Sequence, residues 1–340
     1  MPNKTTKILL LTTLIGGILI SISSNSWLGA WMGLEINLMS FIPLMSSQEN
    51  IFTTEASLKY FLVQALASST LLFLVVMKAL INQGLILGSN IHELMIITPL
   101  LLKMGAAPLH WWFPSVMEGL EWMNCLLMMT VQKAAPMMLI SYLMKATPPI
   151  FAVIMMSAII GALGGMNQTS LRKILTYSSI NHTGWMLMAL LNSSNLWLLY
   201  FTVYTLLTMT VTTITKSFNI SFINQTLMVK GKMLIKLTLF STLLSLGGLP
   251  PFIGFMPKWM VIQTMIASNL TFMMIMMVMM SLVTLYYYLR ICYSSFIILH
   301  EDTKWESGTL KENKTITLSI ILASSSTMGL IMCAAIININ

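Results

Sequence analysis

The stretch PLLLKMGAAPLHWWFPSV, residues 99 to 116, combines features that seldom occur together. It begins as an apolar run suited to a membrane helix, yet it carries a lysine, Lys103. Two residues later the sequence Gly-Ala-Ala-Pro interrupts the helical pattern, because glycine has a low helix propensity and proline lacks a backbone donor. A charge and a helix interruption inside one apolar segment predict an unusual membrane helix, and the rest of the chain shows where it belongs.

The composition indicates an integral membrane protein. Hydrophobic residues make up 56% of the 340 positions and charged residues only 8%, whereas soluble domains carry about 25% charged residues. Long apolar runs recur from end to end with no polar block of domain size, so we expect a single transmembrane domain over 1–340. The net charge of +8 is therefore attributed to membrane loops, and no nucleic-acid partner is expected. Cys125, Cys292 and Cys333 have no metal-ligand or disulfide spacing, so no metal site is expected.

An all-α polytopic fold with eleven transmembrane helices is predicted from windows of about 20 residues. The fourth and ninth helices are too long for a simple span and carry Gly/Pro interruptions, so we expect both to be discontinuous. The predicted limits are 7–24, 26–46, 57–80, 92–119, 123–145, 149–171, 174–192, 195–222, 235–267, 271–299 and 315–337.

The basic residues of the predicted loops lie mostly on the side of the N-terminus. Only Lys78 and Lys145 are assigned to the opposite side. The positive-inside rule then places the N-terminus in the cytoplasm or matrix and, with an odd number of spans, the C-terminus outside. The residues assigned to the N-terminal side are Lys4, Lys7, Arg172, Lys173, Lys216, Lys230, Lys232, Lys236, Arg290, Lys304, Lys311 and Lys314.

Subtracting the fourteen basic residues assigned to loops from the eighteen in the chain leaves Lys59, Lys103, Lys133 and Lys258 inside predicted helices, with one acid, Glu35, in the second helix. Each costs about 3 kcal/mol at mid-membrane, so together they would cost roughly 15 kcal/mol if unpaired. An ammonium group between apolar walls releases its proton more easily than one in water, and a nearby carboxylate opposes that release. These residues are therefore candidates for a proton relay, with Glu35 and Lys59 as a possible switch.

The second interruption, GGLPPFIGFMPKW at residues 247–259, resembles the first. Each lies in the fourth helix of a possible five-helix repeat, the first repeat at about 7–145 and the second at about 149–299. Since five is an odd number, the second repeat would be inverted in the membrane, with the helix at 315–337 added after it. Interrupted helices at matching positions of inverted repeats point to an ion or substrate path.

Plainer interpretations remain open for each of these features. A single Gly/Pro interruption in a membrane helix is often a packing kink, and Glu35 with Lys59 can be a static buried ion pair. His110, just past the first interruption, and His182 can extend a relay or can simply be hydrogen-bonded packing residues.

Six segments of the sequence closely resemble the antiporter-like membrane subunits of respiratory complex I, which are similar to subunits of multi-subunit Na⁺/H⁺ antiporters. The resemblance covers nearly the whole chain in order. The segments are SNSWLGAWMGLEINLMSFIPLM (24–45), EASLKYFLVQALASS (55–69), KMGAAPLHWWFPSVMEGL (103–120), QKAAPM (132–137), LRKILTYSSINHTGWM (171–186) and GGLPPFIGFMPKW (247–259).

The resemblance implies specific roles for the buried charges. Glu35 corresponds to the acid of the second helix and Lys59 to its partner. Lys103 and Lys258 correspond to the lysines of the two broken helices, and Lys133 to the lysine of the central axis. His110 and His182 match polar-axis positions. The family pattern has fourteen helices, and the resemblance implies that this chain corresponds to that pattern without its first three, because its acid-bearing helix is expected to be second instead of fifth.

The resemblance also implies partners and cofactors. In complex I, NADH, FMN, iron–sulfur clusters and ubiquinone are handled by other subunits, and none is expected in this chain. The expected partners are other membrane-arm subunits, including neighbouring antiporter-like subunits, and lipids of the mitochondrial inner membrane, with the N-terminus in the matrix and the C-terminus in the intermembrane space. The expected function is proton translocation coupled to electron transfer from NADH to ubiquinone. A cation/proton antiporter subunit and a structural spacer are the alternatives.

Overall fold

A computed structural model describes residues 4–47, 50–81, 89–227, 233–297 and Ser324. This part of the chain is almost entirely helical, with one isolated antiparallel bridge between Ser170 and Phe222. The helices are α1 (Lys4–Ser23), α2 (Trp27–Met45), α3 (Ile51–Ile81), α4 (Ser89–Met104), α5 (Trp112–Gly119), α6 (Trp122–Met129), α7 (Val131–Ser141), α8 (Pro148–Gly165), α9 (Leu171–Asn192), α10 (Ser194–Ser217), α11 (Ile223–Leu227), α12 (Met233–Gly247), α13 (Phe255–Ala267) and α14 (Thr271–Ile297).

Seven helical segments of the described chain are long and apolar enough to cross a membrane. They are α1, α2, α3, the pair α6 and α7, α8, α10 and α14. A multi-pass membrane protein is therefore confirmed. The pair α4 and α5, the polar helix α9 and the pair α12 and α13 occupy the positions of three further predicted spans. The count of eleven stays a prediction, since the expected last helix at 315–337 lies outside the described residues apart from Ser324.

Several helix limits differ from the predicted ones for local reasons. The third helix begins at Ile51 instead of residue 57, and the Thr53 hydroxyl donates to the Asn50 carbonyl in its first turn. Helix α10 ends at Ser217 instead of continuing to residue 222. Asn219, at φ 52°, turns the chain, and the Ile220 N–H donates to the Thr215 carbonyl. Asparagine tolerates this left-handed conformation, which commonly ends helices.

The assignment of Lys236 to a loop was wrong. Helix α12 begins at Met233, so Lys236 lies inside the helix and its side chain is buried. The helix starts two residues before the predicted limit of 235, so Lys236 lies within its first turns and not at its end. The loop residues Lys230, Lys232, Lys304, Lys311 and Lys314 lie outside the described residues.

The chain divides into two compact units, Met1–Val153 and Ile154–Asn340. In the first unit, α1 packs on α2, and α3 packs on α2, α4 and α5. In the second unit, α10 packs on α9, α12 and α13, and α14 packs on α12 and α13. Each unit contains a pair of short helices joined by a Gly/Pro segment, α4 and α5 in the first and α12 and α13 in the second; that each pair is one discontinuous membrane span stays a prediction. Whether the units are inverted repeats of each other stays a prediction.

Candidate functional site

The first interruption separates α4 from α5 by residues 105–111. Its turn is made by Gly105, whose φ of 69° lies in the left-handed region. The Gly105 N–H donates to the Leu102 carbonyl and the Ala106 N–H to the Leu101 carbonyl, both at 3.1 Å. These two bonds form the Schellman pattern, which ends a helix at a left-handed residue. The sequence Gly-Ala-Ala-Pro therefore ends α4 directly after Lys103 and Met104.

The carbonyls freed at the end of α4 accept hydrogen bonds from neutral side chains. Gln64 Nε2, from α3, donates to the Lys103 carbonyl at 3.2 Å, and Trp112 Nε1, from the start of α5, donates to the Leu102 carbonyl at 3.2 Å. The Lys103 side chain is 6% exposed. A cation in the last turn of a helix is favoured by the helix dipole, so the break stabilises the buried charge.

A buried polar cluster lies beside Lys103. Asn37 Nδ2 donates to Gln132 Oε1 at 3.2 Å, and Gln132 Nε2 donates to Asn37 Oδ1 at 3.0 Å. The Tyr60 hydroxyl donates to the same Gln132 oxygen at 3.2 Å. These three residues, with Gln64 and Lys103, line a cavity of about 10 Å³, which is enough for about one water molecule. A single bound water there would contact both the lysine and neutral hydrogen-bonding groups.

The sequence left open whether Lys59 pairs with Glu35 or with another acid. Lys59 Nζ lies 3.9 Å from Glu55 Oε2, one helical turn away on α3, and these side chains are 55% and 58% exposed. Glu35 is partly exposed on α2. Lys59 therefore lies with Glu55 on the exposed side of α3, whereas Lys103 lies in the buried cluster.

Lys133 is the most deeply buried of the predicted relay lysines. It lies in α7, next to Gln132 in the sequence, and its side chain is 1% exposed. Its Nζ lies 5.0 Å from the centroid of the Phe113 ring, which follows the first interruption, a distance suited to a cation–π contact. His110 lies within the interruption and is partly exposed, with Nδ1 3.2 Å from the Pro108 carbonyl oxygen.

The second interruption separates α12 from α13 by residues 248–254. Gly248, at φ 84°, makes the turn, with the Gly248 N–H donating to the Ser245 carbonyl and the Leu249 N–H to the Leu244 carbonyl. Here the side chain of Lys258, which is 5% exposed, donates to the carbonyls left free at the end of α12. Its Nζ donates to the Gly247 carbonyl at 2.8 Å and to the Leu246 carbonyl at 3.3 Å.

His182 lies in a second polar cluster, within the second unit. Its Nδ1 is 2.8 Å from the Tyr200 hydroxyl, and its ring centroid is 5.1 Å from that of Tyr204. All three side chains line a cavity of about 10 Å³ that also reaches Ser245 and Leu246. Since the Leu246 carbonyl accepts from Lys258, this cavity connects the histidine with the second broken helix.

Family models match almost the whole chain. Residues 24–284 match the model described as NADH:quinone oxidoreductase/Mrp antiporter, TM, and residues 285–337 match the model described as NADH dehydrogenase subunit 2 C-terminus. NADH-ubiquinone oxidoreductase chain 2 of Anopheles gambiae is 49% identical over 337 residues, with 98% of each chain covered. Its counterpart in Loxodonta africana is 38% identical, with 93% of this chain and 94% of that chain covered.

The chain belongs to the NADH-ubiquinone oxidoreductase chain 2 family. The resemblance inferred from the six sequence segments is thereby confirmed.

Solved structures show the same fold as this chain 2 family member. A chain of respiratory complex I from Thermus thermophilus, determined with bound aureothin, has a TM-score of 0.83 at 23% identity, with 98% of this chain and 79% of that chain covered. A chain of the Mrp complex from Dietzia sp. DQ12-45-1b has a TM-score of 0.80 at 15% identity, with 96% and 75% covered. At these identities the likeness concerns the fold alone.

In this chain 2 family member, the neutral polar residues beside Lys103 and around His182 were not predicted from the sequence. Tyr60 and Gln64 are four residues apart, as expected for one helix face, and Gln132 directly precedes Lys133. The missed signal was the occurrence of polar residues at helical spacing inside predicted spans. Tyr200 and Tyr204 show the same spacing of four. Among the described residues, no group of three or more His, Cys, Asp or Glu side chains could hold a metal ion.

Proposed function

We propose that the chain is a membrane-arm subunit of respiratory complex I in the mitochondrial inner membrane. It would take part in proton translocation while electrons pass from NADH to ubiquinone. Membership of the chain 2 family and high identity to animal relatives over nearly their full length support this proposal. The excess of basic residues on one predicted side supports a matrix N-terminus.

The observation that carries the proposal is the burial of three lysines beside polar groups. Lys103, Lys133 and Lys258 are each more than nine-tenths buried. Burial of a charge is costly unless it is compensated, and intramembrane lysines usually mark ion or proton pathways. The polar cavity beside Lys103, the two hydrogen bonds donated by Lys258 and the Phe113 ring beside Lys133 provide compensation.

In the first unit, the proposed relay consists of Glu35, Lys103 and Lys133. A nearby carboxylate stabilises an ammonium group, so in this relay a movement of Glu35 away from Lys103 would favour proton release from Lys103. A water in the cavity beside Lys103 could accept the proton. The Tyr60 hydroxyl, hydrogen-bonded to Gln132, lines the same cavity, and Gln132 is adjacent to Lys133 in α7. His110 would join from the interruption itself.

In the second unit, the proposed relay consists of His182 and Lys258. The Nδ1 atom of His182 and the Tyr200 hydroxyl share a hydrogen bond. The adjoining cavity is also lined by Leu246, whose carbonyl accepts from Lys258. Lys59 differs from the other lysines because its side chain is exposed. It would join the relay only if a neighbouring subunit covered this face of α3. NADH, FMN, iron–sulfur clusters and ubiquinone would be bound by other subunits of the complex.

Replacing Lys133 with Met tests the proposal, because methionine fills a similar volume without a titratable group. In the assembled complex in sealed vesicles, we expect Lys133→Met to reduce NADH-driven proton translocation strongly. Lys78→Met, at the partly exposed end of α3, is the matched control and should leave it unchanged.

Two results would contradict the proposal. Unchanged proton translocation in an assembled Lys133→Met complex would remove Lys133 from the relay. Failure of assembly, with no transport defect in the fraction that assembles, would favour a structural spacer. Purification in mild detergent separates the antiporter alternative, because a chain absent from every NADH-oxidising assembly could not have the proposed function.

A further inference from the structure

One face of α10 carries a continuous row of buried hydroxyl groups. Its members are spaced by four, four, four and three residues, which places them on one side of the helix. Each side chain is 3% exposed or less. At 1.5 Å per residue the row is about 22 Å long, most of the thickness of a bilayer core. We call it the hydroxyl row; its members are Tyr200, Tyr204, Thr208, Thr212 and Thr215.

Helix α9 brings polar side chains to the same row. Tyr200 contacts His182 and the Tyr204 side chain interacts with Ser179, so the two neighbouring helices run antiparallel with a defined register. Continuing that register by one turn brings Thr176 of α9 to the level of Thr208. Ser179 and Thr176 are fully buried. The interface between α9 and α10 is therefore lined by hydroxyls over several successive turns.

These hydroxyls are suited to holding a file of water. The Thr208 and Thr212 hydroxyls donate to carbonyls of their own helix at 3.0 and 2.8 Å, which leaves their oxygens able to accept from water. Successive members separated by four residues are about 6 Å apart along the axis. That distance is too long for direct proton transfer and fits one bridging water between neighbours.

A water-sized space lies at one end of the row. At the Tyr200 end is the cavity that contains His182 and reaches Leu246, whose carbonyl accepts from Lys258. The other end of the row is Thr215, in the last turn of α10. This second end lies near Lys216, which is exposed in the last turn of α10.

We propose that the interface between α9 and α10 is a proton-uptake path of the second unit. A proton enters at the Lys216 end of α10, passes along the hydroxyl row through bridging waters, and reaches His182 and then Lys258. At each transfer a threonine hydroxyl turns its hydrogen from its own carbonyl to the next water while it accepts a proton from the water before, so one O–H bond breaks as another forms and no group changes its net charge. This inference rests on the proposed function, since it supplies the relay of that function with its protons.

A packing role is the rival explanation, because threonines in membrane helices commonly bond back to their own carbonyls. The chain provides an internal control for this. Thr210 is as buried as the members of the row and donates to the Leu207 carbonyl at 2.7 Å, but it lies on another face of α10. A packing role predicts that valine is tolerated equally at Thr210 and in the row.

The test compares the double variant Thr208→Val/Thr212→Val with Thr210→Val in the assembled complex in sealed vesicles. Valine keeps the branched shape and removes the hydroxyl. We expect the double variant to lose about tenfold in the rate of NADH-driven proton translocation, equivalent to about 1.4 kcal/mol in the barrier, while Thr210→Val stays near the unmodified rate. The separate double variant Thr208→Ser/Thr212→Ser keeps the hydroxyls and should retain most of the rate of proton translocation.

Equal rates for the double variant and Thr210→Val would overturn the path. If the double variant fails to assemble, ordered water in a high-resolution map of the unmodified complex decides: waters beside Thr208 and Thr212 support the path, and a dry interface overturns it. Measuring Lys258→Arg and Lys258→Met in the same vesicles distinguishes failure of the uptake path from failure of the proposed relay. Loss of translocation in Lys258→Met with an unaffected double variant overturns the path alone, whereas normal translocation in Lys258→Met overturns the proposed relay.

Discussion

The two interrupted helices end their first halves with the same backbone geometry but complete them with different donors. Gly105 and Gly248 both take a left-handed conformation and close a Schellman pattern. After α4, the neutral side chains of Gln64 and Trp112 satisfy the freed carbonyls. After α12, the ammonium group of Lys258 does so itself.

At the first break the groups that close the helix end are not the buried charge, whereas at the second break the charged lysine itself closes the helix end. At the first break, the side chain of Lys103 is available to its cavity while other residues hold the helix end. At the second, a change in the protonation of Lys258 alters the hydrogen bonds that hold the break, since a charged donor bonds more strongly than a neutral one. We therefore expect substitutions at the second break to disturb structure and transport together.

The largest expected effect is that of Lys258→Met. It leaves the Leu246 and Gly247 carbonyls without this donor, at about 1–3 kcal/mol for each unsatisfied group. Lys103→Met leaves the bonds from Gln64 and Trp112 in place, so it should cost less stability. The inactivation temperature of purified complex and its yield on native gels measure both. Lys258→Arg, which keeps a charged donor, is the control, and equal stability of the two Met variants would show that the breaks do not differ.

Alanine substitutions of the turn glycines should have the next largest effect. A left-handed non-glycine residue costs about 1–2 kcal/mol, so both Gly105→Ala and Gly248→Ala should destabilise the complex. A Cβ on Gly248 would lie 2.9 Å from Cδ and Nζ of Lys258, so only this variant should also reduce proton translocation. Gly247→Ala, whose Cβ would meet nothing closer than 3.5 Å, is the matched control. A transport defect in Gly105→Ala of the same size would contradict the distinction.

Removing a neutral donor at the first break should have a smaller effect on proton translocation than Gly248→Ala. Gln64→Leu leaves the Lys103 carbonyl without its partner, which should cost about 1–3 kcal/mol, seen as a lower inactivation temperature. Because the Lys103 ammonium is not the donor, the complex that remains folded should still translocate protons. Ser69→Ala, on an exposed face of α3, serves as control. A loss of transport without a loss of stability would mean that Gln64 acts in the relay.

The smallest expected effect is that of Lys59→Met. An exposed ion pair such as Lys59 with Glu55 contributes about 0–1 kcal/mol, so stability and translocation should change little. Glu55→Gln tests the same pair from its other member. If Lys59→Met instead stops translocation as Lys103→Met is expected to, a neighbouring subunit must cover this face of α3, and the relay role predicted for Lys59 would gain support.

Local sequence predicted much of the fold because its signals are strong and short-range. Apolar length located the spans, and Gly105 and Gly248, each with prolines shortly after it, located the two interruptions. Helix ends were less well predicted where a weaker signal acts, as at Asn219, whose left-handed conformation ends α10 before residue 222. Lys236 was misplaced for the same reason, since the start of α12 has no distinctive capping sequence.

The sequence by itself determined that this is a polytopic helical protein of the chain 2 family, with lysines beside two helix interruptions, because composition, apolar length and Gly/Pro positions act within a few residues. Only the tertiary structure decided how those lysines are used. Lys258 bonds the end of α12, Lys133 packs against Phe113, and Lys59 faces outward beside Glu55. The direction of a side chain, and the donor that satisfies a freed carbonyl, depend on helices distant in sequence, and no local pattern specifies them.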